Sequence, residues 1–533
     1  MQAQFHVLLT LIVFLPAVGA IGLFLAPGKN TTLAKWGAAS VTGLVFVLTL
    51  ALYFGQRWDN TSIASMSSLR WVDFSPWIHI QLGSNFQFNV DYFLGADGLS
   101  LPMIILNGLL SFLAIIGSWH VDKRVKDYMA LILLLETGVM GVFSALDLIL
   151  FFLFWEVELI PMFLLIAVWG GLRREYAAWK FLLYTLLGSS VMLAGILLLY
   201  FGQGAQTGTY TANMILLSQP AHQLTGFLSL GGIQITAQLL AFLLIFFGFA
   251  VKIPMFPFHT WLPDAHTEAP TAVSVLLAGV LLKMGAYGLI RICLGFFPFA
   301  AHDFAWWLGG LAVINILYGA GVSMVQSDMK KMIAYSSVSH MGYVLLGVAA
   351  AAGVAGDPNL LGFQQAALTG AALQMFTHGS ITGLLFFCVG VVYEKAHTRD
   401  IDIFGGIAQR MPRLITLFSI ACLASLGLPA LSGFVAEYLV FTGSFPIWTT
   451  WTILGAFGIV LTAGYLLWML KRAFYGPLNV KWATLTDASA LEMVPLVSLV
   501  AVILLFGIFP GIIVNVIQPS ISPIIHTLTV AVH

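Results

Sequence analysis

VKIPMFPFHTWLPDAHTEAPTAVSVLLAGVLLKMGAYGLIR, residues 251–291, decides how the chain is read. An apolar stretch carrying Lys252 is interrupted by Pro254, Pro257 and Pro263, and a second apolar stretch carries Lys283. At the centre of a transmembrane helix each lysine costs about 2.5 to 3.5 kcal/mol on insertion scales. Two of them beside a proline break therefore need a reason beyond packing.

The rest of the chain supplies the membrane. Of its 533 residues 60% are hydrophobic and 8% charged, against about 25% charged in a soluble domain, so the chain is read as a polytopic membrane protein. Its 22 basic and 22 acidic residues cancel, and no net charge points to nucleic acid. Cys293, Cys388 and Cys422 lie far apart in apolar runs, with no metal-ligand spacing, and read as core filler. Neither GxGxxG after a strand nor GxxxxGK[ST] occurs, so any redox chemistry is assigned to partners. No cofactor and no metal is expected in this chain.

Apolar runs of spanning length fall at about 5–26, 33–54, 99–119, 128–145, 147–170, 177–201, 235–256, 271–297, 304–323, 332–351, 364–392, 414–444, 450–470 and 493–517. They predict an all-α fold of 14 transmembrane helices, with the first run retained as a helix, since it lacks the basic start of a signal peptide. Charge supports an even count. With the N-terminus outside, inner loops hold Lys29 and Lys35, then Lys123, Arg124 and Lys126, then Arg173 and Arg174. They continue with Lys330 and Lys331, then Lys395, Arg399, Arg410 and Arg413, then Lys471, Arg472 and Lys481, leaving Arg57 and Arg70 outside. The positive-inside rule then puts both termini on the outer side. The outer loop 55–98, with Trp58, Trp71, Trp77 and Tyr92, is expected to lie as an ordered flap at the interface, and 202–234 reads as a surface connection.

Lys180, Lys252, Lys283 and Arg291 remain within spans, with the acids Glu136, Glu156, Glu158 and Glu437 and with His340 and His378. A series spread over spans four to twelve implies a hydrated or ion-paired interior. Arg291, near a helix end, is expected to snorkel. Glu156 and Glu158 are about 200° apart on a helix and cannot both face one channel. Lys252 and Lys283 are the strongest functional candidates, because an acid moving near a buried lysine switches its charge.

LASLGLPALSGFVAEYLVF, residues 423–441, repeats the break with Gly427, Pro429 and Gly433 ahead of Glu437. The interrupted seventh and twelfth spans are five apart. That spacing predicts two inverted five-helix repeats, spans four to eight (128–297) and nine to thirteen (304–474), between an N-terminal unit (1–120) and a last span with a short tail (493–533). Broken helices at this depth line polar cavities.

These residues resemble the antiporter-like proton-channel subunits of complex I (NADH:quinone oxidoreductase) and its photosynthetic relatives, which are similar in turn to Mrp-type cation/proton antiporters. The resemblance covers nearly the whole chain and rests on FFLFWEVELIP (151–161), the stretch 252–291, QSDMKKMIAYSSVSHMGYVLLG (326–347), QMFTHGSITGLLFFCVG (374–390) and LPALSGFVAE (428–437). Within the family the chain is similar to the chain 4, or M-type, branch, because Glu437 stands where L-type and Mrp members tend to carry lysine and because only about sixteen residues follow the last run.

The resemblance implies that Glu156 is the acid of the fifth helix, with Lys180 its partner in the sixth. It makes Lys252 and Lys283 the lysines of the seventh and eighth helices, and His340 and His378 the link to Glu437; Glu136 matches nothing in the pattern. It further implies proton translocation in a membrane arm driven by NAD(P)H or ferredoxin:quinone oxidoreduction. Quinone, flavin and iron–sulfur clusters would then sit in partner subunits, L-type and N-type antiporter-like subunits would be neighbours, and the site would be a bacterial inner membrane or a thylakoid. An Mrp-type antiporter subunit and a non-pumping structural subunit are the alternatives.

Overall fold

A computed structural model of the chain describes residues 4–5, 7–26, 30–55, 58, 61–69, 71–82, 86–230, 233–354 and 356–531. Lys29, Arg57 and Arg70 of the charge pattern lie outside the described residues.

The helices follow the apolar runs. First come α1 (Leu8–Leu25), α2 (Thr31–Phe54), α3 (Leu101–Gly117) and α4 (Val125–Ser144). The polar hinge at Asp147 caps α5 (Leu148–Val157), its carboxylate accepting from the Ile149 and Leu150 amides. At Glu158 α5 meets α6 (Leu159–Trp169), and α7 (Arg174–Thr207) and the short α8 (Met214–Leu217) follow. The proline-rich break separates α9 (Ala237–Lys252) from α10 (Trp261–Glu268). Beyond it α11 (Thr271–Leu276) and α12 (Leu282–Gly288) form one rod, with π-helical turns at Leu277–Leu281 and Leu289–Leu294. Then come α13 (Pro298–Met324), α14 (Met329–Ala352) and α15 (Leu361–Ala396). The second break parts α16 (Pro412–Ser425) from α17 (Ser432–Ser444), before α18 (Thr449–Met469), α19 (Ala490–Ile508) and α20 (Gly511–Ala531).

Among the described residues 12 helices are long and apolar enough to cross a bilayer; α3, α9 and α16 are shorter apolar helices. The helices form two rings. The α11–α12 rod, α14 and α15 are almost wholly buried and α4 nearly so, whereas α1, α7, α18 and α19 turn much of their apolar surface outward, with Leu183, Leu187, Phe457 and Val460 exposed.

Three expectations are corrected. The fold is mostly helical rather than all-α, because loop residues outside the bundle alternate apolar and polar side chains and pair as strands. β1 (Gln4–Phe5), β2 (Trp71–Leu82) and β3 (Phe86–Ala96) form an antiparallel sheet in that order, and β4 (Phe227–Leu230) pairs with β5 (Ile233–Thr236). The first sheet is tied to helix ends: the Asp73 carboxylate accepts from Thr10 Oγ1 at 2.6 Å, and the Asp91 amide donates to Asp147 at 3.1 Å.

Second, the last apolar run is two helices, turned at Phe509 and Pro510. Tyr53 in the last turn of α2 donates to the Ile512 carbonyl (3.3 Å), Ser520 links Thr61 and Gly98, and Gln365 near the start of α15 donates to Ser522 (3.1 Å). These partners sit in loops or at helix ends, so α20 lies along that end of the bundle. A Cβ at Gly98 would fall 1.7 Å from the Val516 carbonyl, so only glycine admits this approach.

Third, Arg291 does not snorkel. It is fully buried, its guanidinium 2.5 Å from Asp97 and 3.3 Å from the Tyr287 hydroxyl. Asp97 also accepts from the Leu99 and Ser100 amides (3.2 and 3.0 Å) just before α3, so one carboxylate pins α3 to the rod. Removing one partner of a buried pair costs about 3 to 5 kcal/mol. We expect Asp97→Ala to lower the thermal midpoint of the purified protein sharply and Asp97→Leu combined with Arg291→Met to recover most of the loss, both read by thermal unfolding in detergent.

Candidate functional site

The two helix breaks build the site. At the first, proline leaves backbone groups of α9 without helical partners, and side chains take them up. Asn315 accepts from the Phe256 amide at 2.7 Å and donates to the Pro254 carbonyl at 3.4 Å, while Trp261 Nε1 donates to the Val251 carbonyl at 2.9 Å. At the second, Gly427 adopts φ 72°, and a Cβ there would lie 2.5 Å from Glu437 Oε2. The glycine therefore makes both the turn and the room for the carboxylate.

Lys252, the last residue of α9, hydrogen-bonds Glu158, and both side chains are buried. The ammonium sits between Trp155 and Phe181, 5.5 and 5.6 Å from their ring centres. Glu158 stands at the α5–α6 junction, where α4 approaches its backbone closely enough that a Cβ at Gly138 would lie 3.0 Å from the Glu158 nitrogen. The expected pairing of Glu156 with Lys180 is not formed, and Glu156 does not pair with Lys252 either. Two residues along a helix turn the two acids apart, and the side facing Lys252 belongs to Glu158. Glu156 is half-buried, with Oε1 unpartnered among the described residues. Lys180 instead pairs with Asp264 on α10 at 2.8 Å, and Arg173 approaches Asp264 and Glu268 at 3.9 and 4.0 Å.

The other four expected residues come together. Lys283, flanked by the π-helical turns, donates to the Ala278 carbonyl and lies 2.7 Å from His378 Nδ1 on α15. The His378 and His340 ring centres are 5.6 Å apart. On α14, His340 lies 3.1 Å from Ser425 Oγ through Nε2 and 3.4 Å from Glu437 through Nδ1. All four are buried, and the string crosses four helices, from α12 through α15 and α14 to α17. Imidazoles between an amine and a carboxylate suit proton exchange, since each ring accepts a proton at one nitrogen and releases one at the other.

Sequence reasoning passed over several polar groups here. Asp264 and His266 lie inside the quoted stretch, where the proline break signalled irregular backbone but the lysines took the attention. His266 is fully buried on the Phe386 ring (centres 4.6 Å apart), with neither nitrogen partnered among the described residues. Lys330, counted as a loop charge, is buried in the first turn of α14 and donates to the Ala269 carbonyl (2.6 Å) and Ser274 (3.2 Å). Two adjacent lysines at a helix start look alike in sequence; only packing separates Lys330 from Lys331.

The Lys252 partner is testable by stability. Glu158→Gln strands a buried ammonium and should cost about 3 kcal/mol or more, whereas Glu156→Gln breaks no ion pair and should leave the thermal midpoint of the purified protein nearly unchanged.

A family model described as NADH:quinone oxidoreductase/Mrp antiporter, TM, matches residues 145–462, which hold both breaks and every residue of the string. The chain is 40% identical over 523 residues to the NADH-quinone oxidoreductase subunit M of Rhodobacter capsulatus, covering 97% of this chain and 96% of that protein. It is 39% identical to the NAD(P)H-quinone oxidoreductase chain 4 of Gloeobacter violaceus, covering 96% and 91%. Among solved structures, a chain of respiratory complex I from Thermus thermophilus superposes with a TM-score of 0.80 at 29% identity, covering 98% of this chain and 99% of that one. The chain belongs to the NADH:quinone oxidoreductase/Mrp antiporter transmembrane family.

Proposed function

We propose that the chain is a proton-translocating membrane-arm subunit of a redox-driven NAD(P)H or ferredoxin:quinone oxidoreductase, working beside L-type and N-type antiporter-like subunits. The carrying observation is the buried string from Lys283 through His378 and His340 to Glu437. Quinone, flavin and iron–sulfur clusters belong on this reading to partner subunits, and this chain moves protons in response to what happens there. The family membership and the M-type relatives support it.

In this reading the Glu158–Lys252 pair is the switch. While the pair is closed, the carboxylate holds the ammonium; when it opens, a charge left alone in low dielectric is costly and the proton moves on. Asp264 on Lys180 keeps a second charge pair beside the first break, and Glu156 stands next to the switch as an acid free of fixed partners. The proton passes by water to Lys283, through His378 and His340 to Glu437, and out. The two breaks mark inverted five-helix repeats within a fourteen-span topology, both termini on the outer side of a bacterial inner membrane or a thylakoid.

Lys252→Ala and Glu437→Ala, each in the assembled complex in liposomes, should leave subunit composition intact and abolish quinone-coupled proton translocation. Full translocation by the double variant would leave the chain a structural subunit. Sodium-dependent transport by the chain without redox partners would make it an antiporter. Impermeant thiol labelling of single cysteines placed at Thr209 and at Leu172, just beyond either end of α7, should mark the first from outside and the second from inside only.

A further inference from the structure

Glu136 takes no part in the path above. It sits within α4, 1% exposed, and neither carboxyl oxygen has a hydrogen-bond partner among the described residues. Across from it α3 presents Asn107 and Ser111, four residues apart and therefore on one face. Asn107 Nδ2 donates to the Glu136 backbone carbonyl at 3.2 Å, while Asn107 Oδ1 and Ser111 Oγ are buried and unpartnered like the carboxyl. Two adjoining helices, α3 and α4, thus carry four buried oxygens without hydrogen-bond partners among the described residues, groups of the kind that ordered water bridges.

Helical register says what this site faces. Phe143 packs edge-to-face on Tyr287 with ring centres 5.3 Å apart, and the Tyr287 hydroxyl donates to the Phe143 carbonyl at 3.3 Å, fixing α4 against α12. Glu136 precedes Phe143 by seven residues, almost two whole turns, and Lys283 precedes Tyr287 by four, little more than one. Each shares a face with its aromatic neighbour, and both lie on the same side of the contact, about 10 Å and about 6 Å along the respective axes. Lys283 is a buried amine whose hydrogen-bond partners among the described residues are a carbonyl and an imidazole, with no acid among them. A carboxyl without a base and an amine without an acid lie on facing helices. α3 reaches the same junction: Leu110 meets Gly279 beside Lys283, and Leu106 meets Gly379 beside His378.

Resting on the reading under Proposed function, we propose that Glu136 is the acid that loads Lys283, exchanging a proton with it through water held by Asn107 and Ser111. Transfer breaks the Glu136 O–H bond and forms an N–H bond on the neutral amine, leaving a carboxylate and an ammonium. The ammonium passes a proton to His378 Nδ1, the imidazolium releases one from Nε2 toward His340, and the next proton from the Lys252 side restores the acid.

The test uses the assembled complex in liposomes, driven by whichever of NADH, NADPH or reduced ferredoxin it oxidises, with a short-chain quinone as acceptor. Glu136→Gln keeps size and polarity but carries no exchangeable acid proton. It should slow proton translocation by roughly a hundredfold, the low end of what a positioned proton-transfer group contributes, and remove one carboxylic-acid C=O band from the redox-induced infrared difference spectrum. Glu136→Asp should keep that band, shifted, and part of the rate. Normal translocation by Glu136→Gln, or a slowed variant whose carboxylic-acid bands are unchanged, overturns the proposal. Lys252→Ala and Glu437→Ala run in parallel: if they still translocate, the functional reading itself falls. If they are inactive while Glu136→Gln is normal, the assignment of Glu136 alone falls.

Discussion

A charge in hydrocarbon persists only with something to hold it, and the kind of holder sorts the buried cations of this protein. Arg291 is always charged, and Asp97 holds it permanently, so that pair is a rivet between α3 and the α11–α12 rod. Lys252 has an acid too, but a lysine can give its proton away. Lys283 and Lys330 are held by carbonyls, an imidazole and a hydroxyl instead of acids. Such neutral holders leave the amine free to exist in either protonation state. Fixed charge sits at one end of the rod, at Arg291, and amines without an acid partner sit in its middle, at Lys283, and against its other end, at Lys330.

The same constraint explains the breaks. Backbone groups freed at membrane depth must be paired again, and Asn315 and Trp261 do so at the first break. The polar atoms that repair a helix also make the interior hospitable to protons. Gly427 serves both ends at once, turning the chain and leaving space for the Glu437 carboxylate.

Much of this was legible in the sequence. Apolar length and the proline and glycine interruptions located the helices, and the intramembrane lysines, histidines and Glu437 marked the string, because each is costly enough in lipid to be conspicuous. Partners were less legible. Periodicity established that Glu156 and Glu158 face apart, but which of them meets Lys252 depends on how α9 lies against α5, and that is settled by packing between segments far apart in the chain. Asp97 and Arg291 are 194 residues apart. The strands are less legible because short alternating segments between the apolar runs resemble loop, and the turn at Pro510 lies inside a run that stays apolar through it.

The two-ring arrangement has a further consequence. The helices bearing Lys283, His340 and His378 are almost wholly buried, while those around them expose leucine, isoleucine, valine, phenylalanine and tryptophan. If the buried string carries protons as proposed, the outer ring is electrical insulation around it. On the proposed reading, a proton on the inner helices is separated from the membrane by that apolar ring. The outer ring can exchange one apolar residue for another at little cost.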